Sequence, residues 1–243
     1  LCGISKAQSS ADYAMLEYCI REDLKTKAPR MMAILDPVKL VIDNYPEGQT
    51  EMLPVVNNPE NEELGSREVP FGKELYIERD DFMEEPPKKY FRMFPGNEVR
   101  LMNAYFVKCT GCVKDENGKV VEVHGTYDPE SRGGNSPDGR KVKGTIHWVS
   151  ATESVKAQVR LYENIIDEEK GVYNEDGSLN LNPNSLTTLT ECRLEPAFAK
   201  AQAYDCFQFV RQGFFCVDYK DTKPGELVFN RIVSLKSSYV LPK

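Results

Sequence analysis

The segment IHWVSATESVKAQVRLYENI, residues 146–165, opens the second copy of an order of features that occurs twice in the chain. The first copy opens with AILDPVKLVIDNY at residues 33–45. An acidic corner follows each segment, YIERDDF at 76–82 and CRLEPAF at 192–198, and long aromatic runs come after each corner. A repeated order of this kind predicts two related units. Because the runs are short and turns separate them, we expect two related β-barrels rather than one large sandwich.

Short runs of β-branched and aromatic residues fill most of the chain, with breaks such as SRGGNSPDGR between them. This alternation is typical of strands joined by turns and predicts a mainly β fold. Ahead of these runs, Leu16, Ile20 and Leu24 recur at four-residue spacing behind Ser9, which predicts a short helical segment. Pro29 prevents that helix from continuing.

The chain opens with LCGISKAQSS, without an initiating Met, so we expect it to be part of a longer protein. We predict three units along it: the end of a helical connecting subdomain at residues 1–28, a first β-barrel unit at 29–125 and a second β-barrel unit at 126–243. The sequence leaves open whether the two barrels exchange strands.

The composition is that of a globular protein. Hydrophobic residues make up 40% of the 243 residues and charged residues 28%, which excludes a disordered chain. No apolar run reaches the ~18 residues of a membrane span, and no signal-peptide pattern opens the chain. The seven cysteines are scattered and odd in number, which favours reduced thiols and a cytoplasmic location.

The sequence holds no catalytic or metal-binding constellation. Cys109 and Cys112 form one CxxC pair, without the two further ligands that zinc needs. His124 and His147 lie far apart in strand-like runs, so we interpret both as structural. The GGN at residues 133–135 has no helix behind it and cannot form a phosphate-binding loop. We therefore expect no catalytic residue, metal or cofactor within this chain.

Cations and aromatic residues alternate in KKYFRMFPGNEVRLMNAY, residues 88–105, although the chain carries a formal net charge of −7. A two-residue period places Tyr90, Arg92 and Phe94 on one face of a strand. Unpaired RNA bases stack on aromatic or guanidinium planes and hydrogen-bond to Arg, Lys and Gln. The pattern fits an RNA-binding rim of a barrel, and it equally fits an edge strand kept soluble by its charges.

A family resemblance favours the first alternative. Six motifs occur in one order and cover nearly the whole chain: REDLKTKAPRMMAILDPVKLVIDNYPEG, GSREVPFGKELYIERDDF, KKYFRMFPGNEVRLMNAYFVK, YDPES, DGRKVKGTIHWVSA and FQFVRQGFFCVD. As a set they closely resemble the C-terminal half of the glutaminyl-tRNA synthetase family. The resemblance implies two anticodon-binding barrels of the ribosomal-protein-like type, preceded by the end of a helical subdomain. It also implies that ATP, magnesium and glutamine bind in an N-terminal catalytic domain of the parent enzyme.

The resemblance further implies which side chains contact RNA. The family's anticodon-contacting positions correspond here to Arg30, Lys89, Arg92, Arg100, Gln208 and Arg211. Gln208 matches a glutamine that contacts the central anticodon base. The RNA backbone is expected to be approached by Lys88, Arg140, Lys141, Lys143 and Lys236. These residue types suit the task, because a guanidinium fork binds base edges or phosphate and a Gln amide both donates and accepts toward a uracil edge.

Three residues depart from the family pattern. Met102 stands where a second arginine is usual in RLRNAY, Val210 replaces an acidic residue often seen in FQFER, and Phe91 replaces a lysine. The first two replace side chains that can hydrogen-bond with apolar ones, so we expect weaker discrimination at the first anticodon base here. Phe91 could instead stack on a base. His147 and Trp148 of the DGRKVKGTIHWVSA motif are expected to be packing residues.

Three alternatives stay open. An archaeal-type glutamyl-tRNA synthetase resembles this half in fold, although DPVKLVIDNYPEG and FQFVRQGFFCVD favour the glutaminyl enzyme. A 5S rRNA-binding ribosomal protein would be a non-catalytic barrel, and a purely structural protein would bind no RNA. The leading interpretation predicts the tRNA(Gln) anticodon loop and the catalytic domain of the same protein as partners, no membrane partner, and a monomer.

Overall fold

The computed structural model describes residues 13–167 and 169–236 and confirms a mainly β fold with one α-helix, α1 (Tyr13–Lys27), ahead of the strands. The strands among these residues are β1 (Arg30–Met31), β2 (Ala33–Ile34), β3 (Pro37–Ile42), β4 (Thr50–Val56), β5 (Ser66–Gly72), β6 (Glu74–Glu78), β7 (Glu98–Leu101), β8 (Phe106–Lys114), β9 (Val120–Asp128), β10 (Gly144–Ile146), β11 (Trp148–Ser150), β12 (Val155–Tyr162), β13 (Leu186–Leu194), β14 (Cys206–Phe209), β15 (Gly213–Val217) and β16 (Leu227–Ser234). Short 3-10 helices lie at Glu62–Leu64, Arg79–Asp81, Pro129–Ser131 and Pro196–Lys200.

Helix α1 ends at Lys27, two residues before Pro29, as the sequence predicts. The predicted helix start at Ser9 lies outside the described residues. The helix is tied to β16 by Arg21, whose Nε donates to a β16 carbonyl at 2.6 Å. Apolar residues of the helix pack beside this contact against the buried ring of Phe214. The helix therefore lies directly against the β-structure that follows it.

One seven-stranded sheet, here called the first barrel, has the strand order β10-β7-β8-β9-β3-β6-β11. Its two outermost strands, β10 and β11, are consecutive in the chain and are separated only by His147. Residues 144–150 pair with β7 in parallel on one side and with β6 in antiparallel on the other. This one segment therefore nearly closes the sheet into a barrel.

A second seven-stranded sheet, the second barrel, has the order β1-β14-β15-β16-β12-β13-β2. Here the outermost strands are β1 and β2, separated only by Met32. Residues 30–34 pair with β14 in parallel and with β13 in antiparallel. The arrangement of strands and directions repeats that of the first barrel, which confirms the prediction of two related β-barrels.

The common arrangement makes particular residues equivalent in the two barrels. Arg100 of β7 lies opposite a residue of β10, and Gln208 of β14 lies opposite the matching residue of β1. Two residues further on, the backbone N–H groups of Met102 and Val210 donate to carbonyls of the respective closing segments at 2.9 and 3.0 Å. Arg100 is thus equivalent to Gln208, and Met102 to Val210.

Each barrel is closed by residues from the other half of the chain. Residues 30–34 complete the second barrel, whose other strands lie between 155 and 234, and residues 144–150 complete the first barrel, whose other strands lie between 37 and 128. The predicted unit boundaries after residues 28 and 125 stay predictions.

Aromatic rings fill the core of each barrel. In the first barrel, Trp148 is fully buried, meets Phe71 edge to face with ring centroids 5.1 Å apart, and donates from Nε1 to the Met102 carbonyl at 3.0 Å. In the second barrel, Phe198 meets Phe209 edge to face at 5.3 Å. Such rings contribute a large share of the buried apolar area. Trp148 is therefore a packing residue, as predicted.

Two buried glutamates hold the backbone of the segment that closes the second barrel and of Leu35 directly after it. Glu195 Oε1 accepts the N–H of Met32 at 2.5 Å, and its carboxylate also receives Arg67 in bonds of 2.6 and 2.7 Å. Glu78 Oε1 accepts the N–H of Leu35 at 2.8 Å. These carboxylates come from the two acidic corners of the repeat. Since a buried carboxylate is tolerated only when hydrogen bonds satisfy it, the corners fix the path of the closing segment.

His147 is fully buried where the two barrels meet. Its Nε2 lies 3.0 Å from the Ala33 carbonyl, and its Nδ1 lies 3.1 Å from Nη1 of Arg211. Because a guanidinium can only donate, Nδ1 accepts and the ring proton lies on Nε2, which donates to the carbonyl. His147 is a hydrogen-bonded packing residue, as predicted.

Cys109 and Cys112 both lie in β8. Burial raises the pKa of the Cys109 thiol to about 11 and also raises the pKa of Cys112. Within the described part of the chain, no three or more potential His, Cys, Asp or Glu ligands gather into a metal site. None of the helices described is long and apolar enough to cross a membrane.

Removing the Glu195 carboxylate should destabilise the fold strongly. In Glu195→Ala the largely buried Arg67 guanidinium and the Met32 N–H lose the carboxylate that accepts their hydrogen bonds, which we expect to cost about 3–5 kcal/mol of unfolding free energy. Urea denaturation followed by tryptophan fluorescence measures this loss. Glu191→Ala is the matched control, because Glu191 pairs with Lys156 at 2.8 Å on the exposed face of β13 and its loss should change stability little. Equal effects of the two substitutions would contradict this role of Glu195.

The stability contributed by His124 should depend on pH. Its Nδ1 lies 2.7 Å from Asp43 Oδ1, and this hydrogen bond is the main cause of an imidazole pKa above its ordinary 6.5; a second partner is Glu122 at 2.9 Å. A raised folded-state pKa stabilises the fold below the ordinary value, and the contribution disappears as the pH rises through the folded-state value. We therefore expect His124→Gln to lower the unfolding free energy more near pH 5.5 than near pH 9. A difference between variant and wild type that does not vary with pH would rule out this linkage.

Candidate nucleic-acid interface

A groove of about 840 Å³ lies beside the parallel strand pair β1–β14, and residues of the β4–β5 hairpin line its other side. Its lining includes Arg30, Met102, Asn103, Gln208 and Val210. The volume lies in the range of pockets that enclose small ligands. The groove therefore brings together two of the predicted anticodon-binding residues and two of the three departures from the family pattern.

Arg30 and Gln208 reach the groove from neighbouring strands. They are direct partners in the register of β1 and β14, so their side chains extend from the same face of the sheet. Within residues 13–167 and 169–236, the Gln208 amide has no hydrogen-bond partner, and the buried Nε of Arg30 has no acceptor. An amide without a partner, beside a guanidinium on the next strand, is a pair of groups that a nucleobase edge can hydrogen-bond.

Glu60 holds the guanidinium of Arg30. It pairs with Nη2 of Arg30 and with Lys25 at 3.1 Å, and the hydrogen bond from Arg30 is the main cause of the lowered pKa of its carboxyl group. Glu60 lies at the exposed end of this contact. An RNA acceptor can therefore replace its carboxylate without burying an unpaired charge.

Met102 and Val210 give the groove an apolar wall at equivalent positions of the two barrels. Neither side chain can hydrogen-bond a base edge in the way that the family's arginine and acidic residue would. The polar side chains of the groove lie elsewhere in its lining, at Arg30, Asn58, Glu62, Ser66, Arg67, Asn103 and Gln208. The expectation of looser reading of the first anticodon base stays a prediction.

Two asparagines line the same groove and were not singled out in the sequence. Asn58 is buried and donates from Nδ2 to the carbonyls of Lys25 and Ala28 at 2.9 and 3.0 Å. Asn103 is exposed, with a φ of 58° in the left-handed region, which Asn adopts more readily than most residues. In the sequence, only the dipeptides NN at 57–58 and NA at 103–104 indicate these positions, and Asn in a turn is a weak indication of a binding site.

Arg92 and Arg211 meet at the fully buried carboxylate of Asp81. Arg211 binds it in a fork with distances of 2.6 and 2.7 Å, and Arg92 Nη1 lies 3.2 Å from Oδ1. Arg211 adopts a φ of 66°, a left-handed conformation that this fork helps to hold. The guanidinium of Arg211 thus links the second barrel to Asp81 of the first half of the chain. The guanidinium of Arg92 is half-exposed, and some of its N–H donors face solvent.

Arg100 differs from these two arginines because its guanidinium has no hydrogen bond or ion pair with the described residues. It lies over the ring of Phe106, with Cζ 5.3 Å from the ring centroid. Its strand position is equivalent to that of Gln208 in the second barrel. Each barrel thus presents, from equivalent strands β7 and β14, one polar side chain that has no hydrogen-bond partner among the described residues.

The predicted backbone-contacting cations fall into two classes. Arg140 is engaged by three carboxylates: Glu98 at 2.9 Å, Asp128 at 2.5 Å and Asp138 at 2.8 Å. The lysines of both predicted sets are exposed and form no ion pair within the described part: Lys88, Lys89, Lys141, Lys143 and Lys236. The lysines, and not Arg140, are therefore available to a polyanion.

Comparisons with known proteins agree with this arrangement. A family model described as "tRNA synthetases class I (E and Q), anti-codon binding domain" matches residues 28–128, and a second model with that description matches residues 145–218. The glutamine–tRNA ligase of Clostridium kluyveri is 54% identical over 243 residues, which cover 99% of this chain and 44% of that protein. The glutamine–tRNA ligases of Clostridium perfringens and Bradyrhizobium diazoefficiens are 54% and 52% identical over 98% of this chain, which is 43% and 42% of their length.

The chain thus spans less than half the length of these curated relatives. The two family matches fall on the strands that build the two related barrels. The chain therefore belongs to the anticodon-binding domain family of the class I tRNA synthetases (E and Q).

Proposed function

We propose that this chain binds the anticodon loop of tRNA(Gln) and that its parent protein is a glutamine–tRNA ligase. In this role the chain supplies specificity: unpaired anticodon bases enter pockets whose polar groups are satisfied only by the correct base. Each unmet group costs about 1–3 kcal/mol when the wrong base enters. The amino acid would be attached elsewhere in the parent protein.

The observation that carries this proposal is the pairing of Arg30 with Gln208 across β1 and β14, at a groove of about 840 Å³. An amide beside a guanidinium can donate to the carbonyl oxygens of a uracil and accept from its N3–H. A cytosine at the same place presents a donor where uracil presents an acceptor, and so leaves one of these groups unmet. This supports recognition of the central anticodon base by Gln208 and Arg30.

The relatives support glutamine rather than glutamate as the amino acid. Curated proteins about half identical to this chain are named glutamine–tRNA ligases, whereas the family description covers both the E and the Q enzymes. The archaeal-type glutamyl enzyme stays the alternative within the family. Family membership also favours anticodon binding over the 5S rRNA-binding alternative.

The parent enzyme would use ATP and Mg²⁺ in a catalytic domain of the same protein, act as a monomer and work in the cytoplasm. Shares of 42–44% of the relatives' length leave room for such a domain in proteins of this kind. We assign no residue of this chain to ATP, to Mg²⁺ or to catalysis.

Binding of an anticodon stem-loop tests the proposal. We expect the chain to bind a fluorescently labelled tRNA(Gln) stem-loop at least tenfold more tightly than a loop whose central uracil is replaced by cytosine, a difference of ~1.4 kcal/mol. Arg30→Ala and Gln208→Ala should remove that discrimination. Anisotropy titrations at two salt concentrations measure both affinity and the number of phosphate contacts.

Gln202→Ala is the matched control, because Gln202 is an exposed glutamine that does not line the groove. It should leave both affinity and discrimination unchanged. Binding that ignored the base change but fell steeply with salt would leave phosphate contact alone and would refute the role of Arg30 and Gln208. A preference for a tRNA(Glu) loop would favour the glutamyl alternative.

A further inference from the structure

Glu60 binds one nitrogen of Arg30, the arginine proposed to recognise the central anticodon base. Its Oε1 accepts from Nη2 of Arg30, while its Oε2 lies 3.1 Å from the Lys25 ammonium. Nε of the same guanidinium is buried and has no hydrogen-bond partner among the described residues. Glu60 therefore satisfies only half of the fork that Nε and Nη2 of Arg30 form.

A complete fork on another arginine of the same groove shows what Arg30 lacks. Arg67 binds the carboxylate of Glu195 through Nε at 2.6 Å and Nη2 at 2.7 Å, so both nitrogens have an acceptor. Two parallel hydrogen bonds of this kind are the strong arrangement for a guanidinium. A ligand that offers acceptors to both Nε and Nη2 of Arg30 can consequently outcompete the single bond to Glu60.

The backbone of Glu60 is fixed, so its carboxylate meets Arg30 without a loop having to close. The Glu60 N–H donates to Oδ1 of Asn58 at 2.9 Å, and the buried Asn58 donates to two carbonyls around the end of α1. Asn61 donates to a third carbonyl of that helix end at 2.9 Å. Displacement of the carboxylate from Arg30 therefore needs only rotation of the Glu60 side chain.

The displaced carboxylate would keep a partner. Lys25 binds the other oxygen of Glu60, and the Glu60 side chain is 37% exposed, so it stays paired and hydrated when it leaves Arg30. A charge that leaves in this way is not buried without compensation. Glu60 is therefore a removable partner of Arg30, unlike Asp81, which is fully buried beneath Arg211.

We infer that Glu60 is an internal competitor of the RNA: its carboxylate holds Arg30 until a base with the correct acceptors displaces it, and it returns to Arg30 when the loop leaves. The inference rests on the proposed function, because it names the group that Arg30 gives up when it binds the anticodon. Glu60 lowers the affinity for the correct loop and shortens the life of that complex. Release of product limits the turnover of many enzymes, and a carboxylate that rebinds Arg30 favours release.

The competitor acts differently on the correct and the incorrect loop. A central uracil that binds Arg30 has to replace Glu60, so the free energy of the ion pair is lost on binding. A central cytosine that leaves Arg30 unused also leaves the ion pair in place, and Glu60 then has no effect. Glu60 therefore reduces discrimination as well as affinity, and its removal should increase both.

Substitution of Glu60 tests the inference in the anisotropy titration with the uracil and cytosine stem-loops. We expect Glu60→Gln, which keeps the size of the side chain and removes its charge, to bind the uracil loop about fivefold more tightly. Affinity for the cytosine loop should be unchanged, so discrimination should rise by the same factor. Dissociation of the uracil loop, followed by a chase with unlabelled RNA, should slow correspondingly, because changes at an interface act mostly on the dissociation rate.

Two controls separate competition for Arg30 from a general effect of charge. Glu63→Gln removes an exposed carboxylate of the same loop that does not line the groove and forms no ion pair within the described residues. It should bind both loops as wild type does. Glu60→Gln combined with Arg30→Ala should bind no more tightly than Arg30→Ala alone, because the two groups are in contact and their effects are coupled. Thermal melting shows whether each variant is folded.

The inference is overturned if folded Glu60→Gln binds the uracil loop no more tightly than wild type; weaker binding would mean that Glu60 supports Arg30 instead of competing with the RNA. It is also overturned if the tighter binding persists in the Arg30→Ala background or appears equally with the cytosine loop, since charge repulsion alone would then explain it. A failure of the proposed function appears differently, as wild-type protein that does not distinguish the two loops at all.

Discussion

The carboxylate of Glu195, buried against the backbone of Met32, is the constraint on which the shape of the molecule depends. A carboxylate with 1% exposure needs donors, and here they come from two distant elements: the N–H of Met32 in the closing segment and the guanidinium of Arg67 in the β4–β5 hairpin. One buried group thereby joins the hairpin of the first half of the chain to the corner of the second barrel. Because Arg67 also lines the large groove, the ion pair that joins these elements sets the position of the groove wall as well.

The same constraint explains why Arg30 and Gln208, the residues proposed to recognise the anticodon, can be held rigidly. Arg30 lies two residues before Met32 on the segment that Glu195 anchors, and its own N–H donates to the Asn57 carbonyl at 2.6 Å. Gln208 is held by the pairing of β14 with that segment. Neither side chain sits on a free loop. Rigid strands supported by buried hydrogen bonds keep such groups near the geometry that a base edge requires, so little side-chain order has to be gained on binding.

The sequence anticipated the parts of the structure that depend on local pattern. The repeat, its acidic corners and the packing roles of Trp148 and His147 could be predicted, because strand alternation and turn composition are local signals. Reciprocal closure, in which each barrel is completed by a segment from the other half of the chain, could not be predicted, because any short apolar run can complete either sheet. The pairing of the cations could not be predicted either. Arg211 binds Asp81 across 130 residues of sequence, and only the fold shows that this fork is engaged while Arg100 has no hydrogen bond or ion pair with the described residues.

Reciprocal closure has a consequence for how the protein is made. Met31 emerges from the ribosome 178 residues ahead of its strand partner, Phe209. At about 5–20 residues per second the early strand waits roughly 9 to 36 seconds for that partner. During this interval the first barrel also lacks its closing segment until residues 144–150 appear, so both sheets keep open edges while translation continues. The nascent chain is therefore exposed to mispairing for most of its synthesis, and slower translation would lengthen that exposure rather than help the fold.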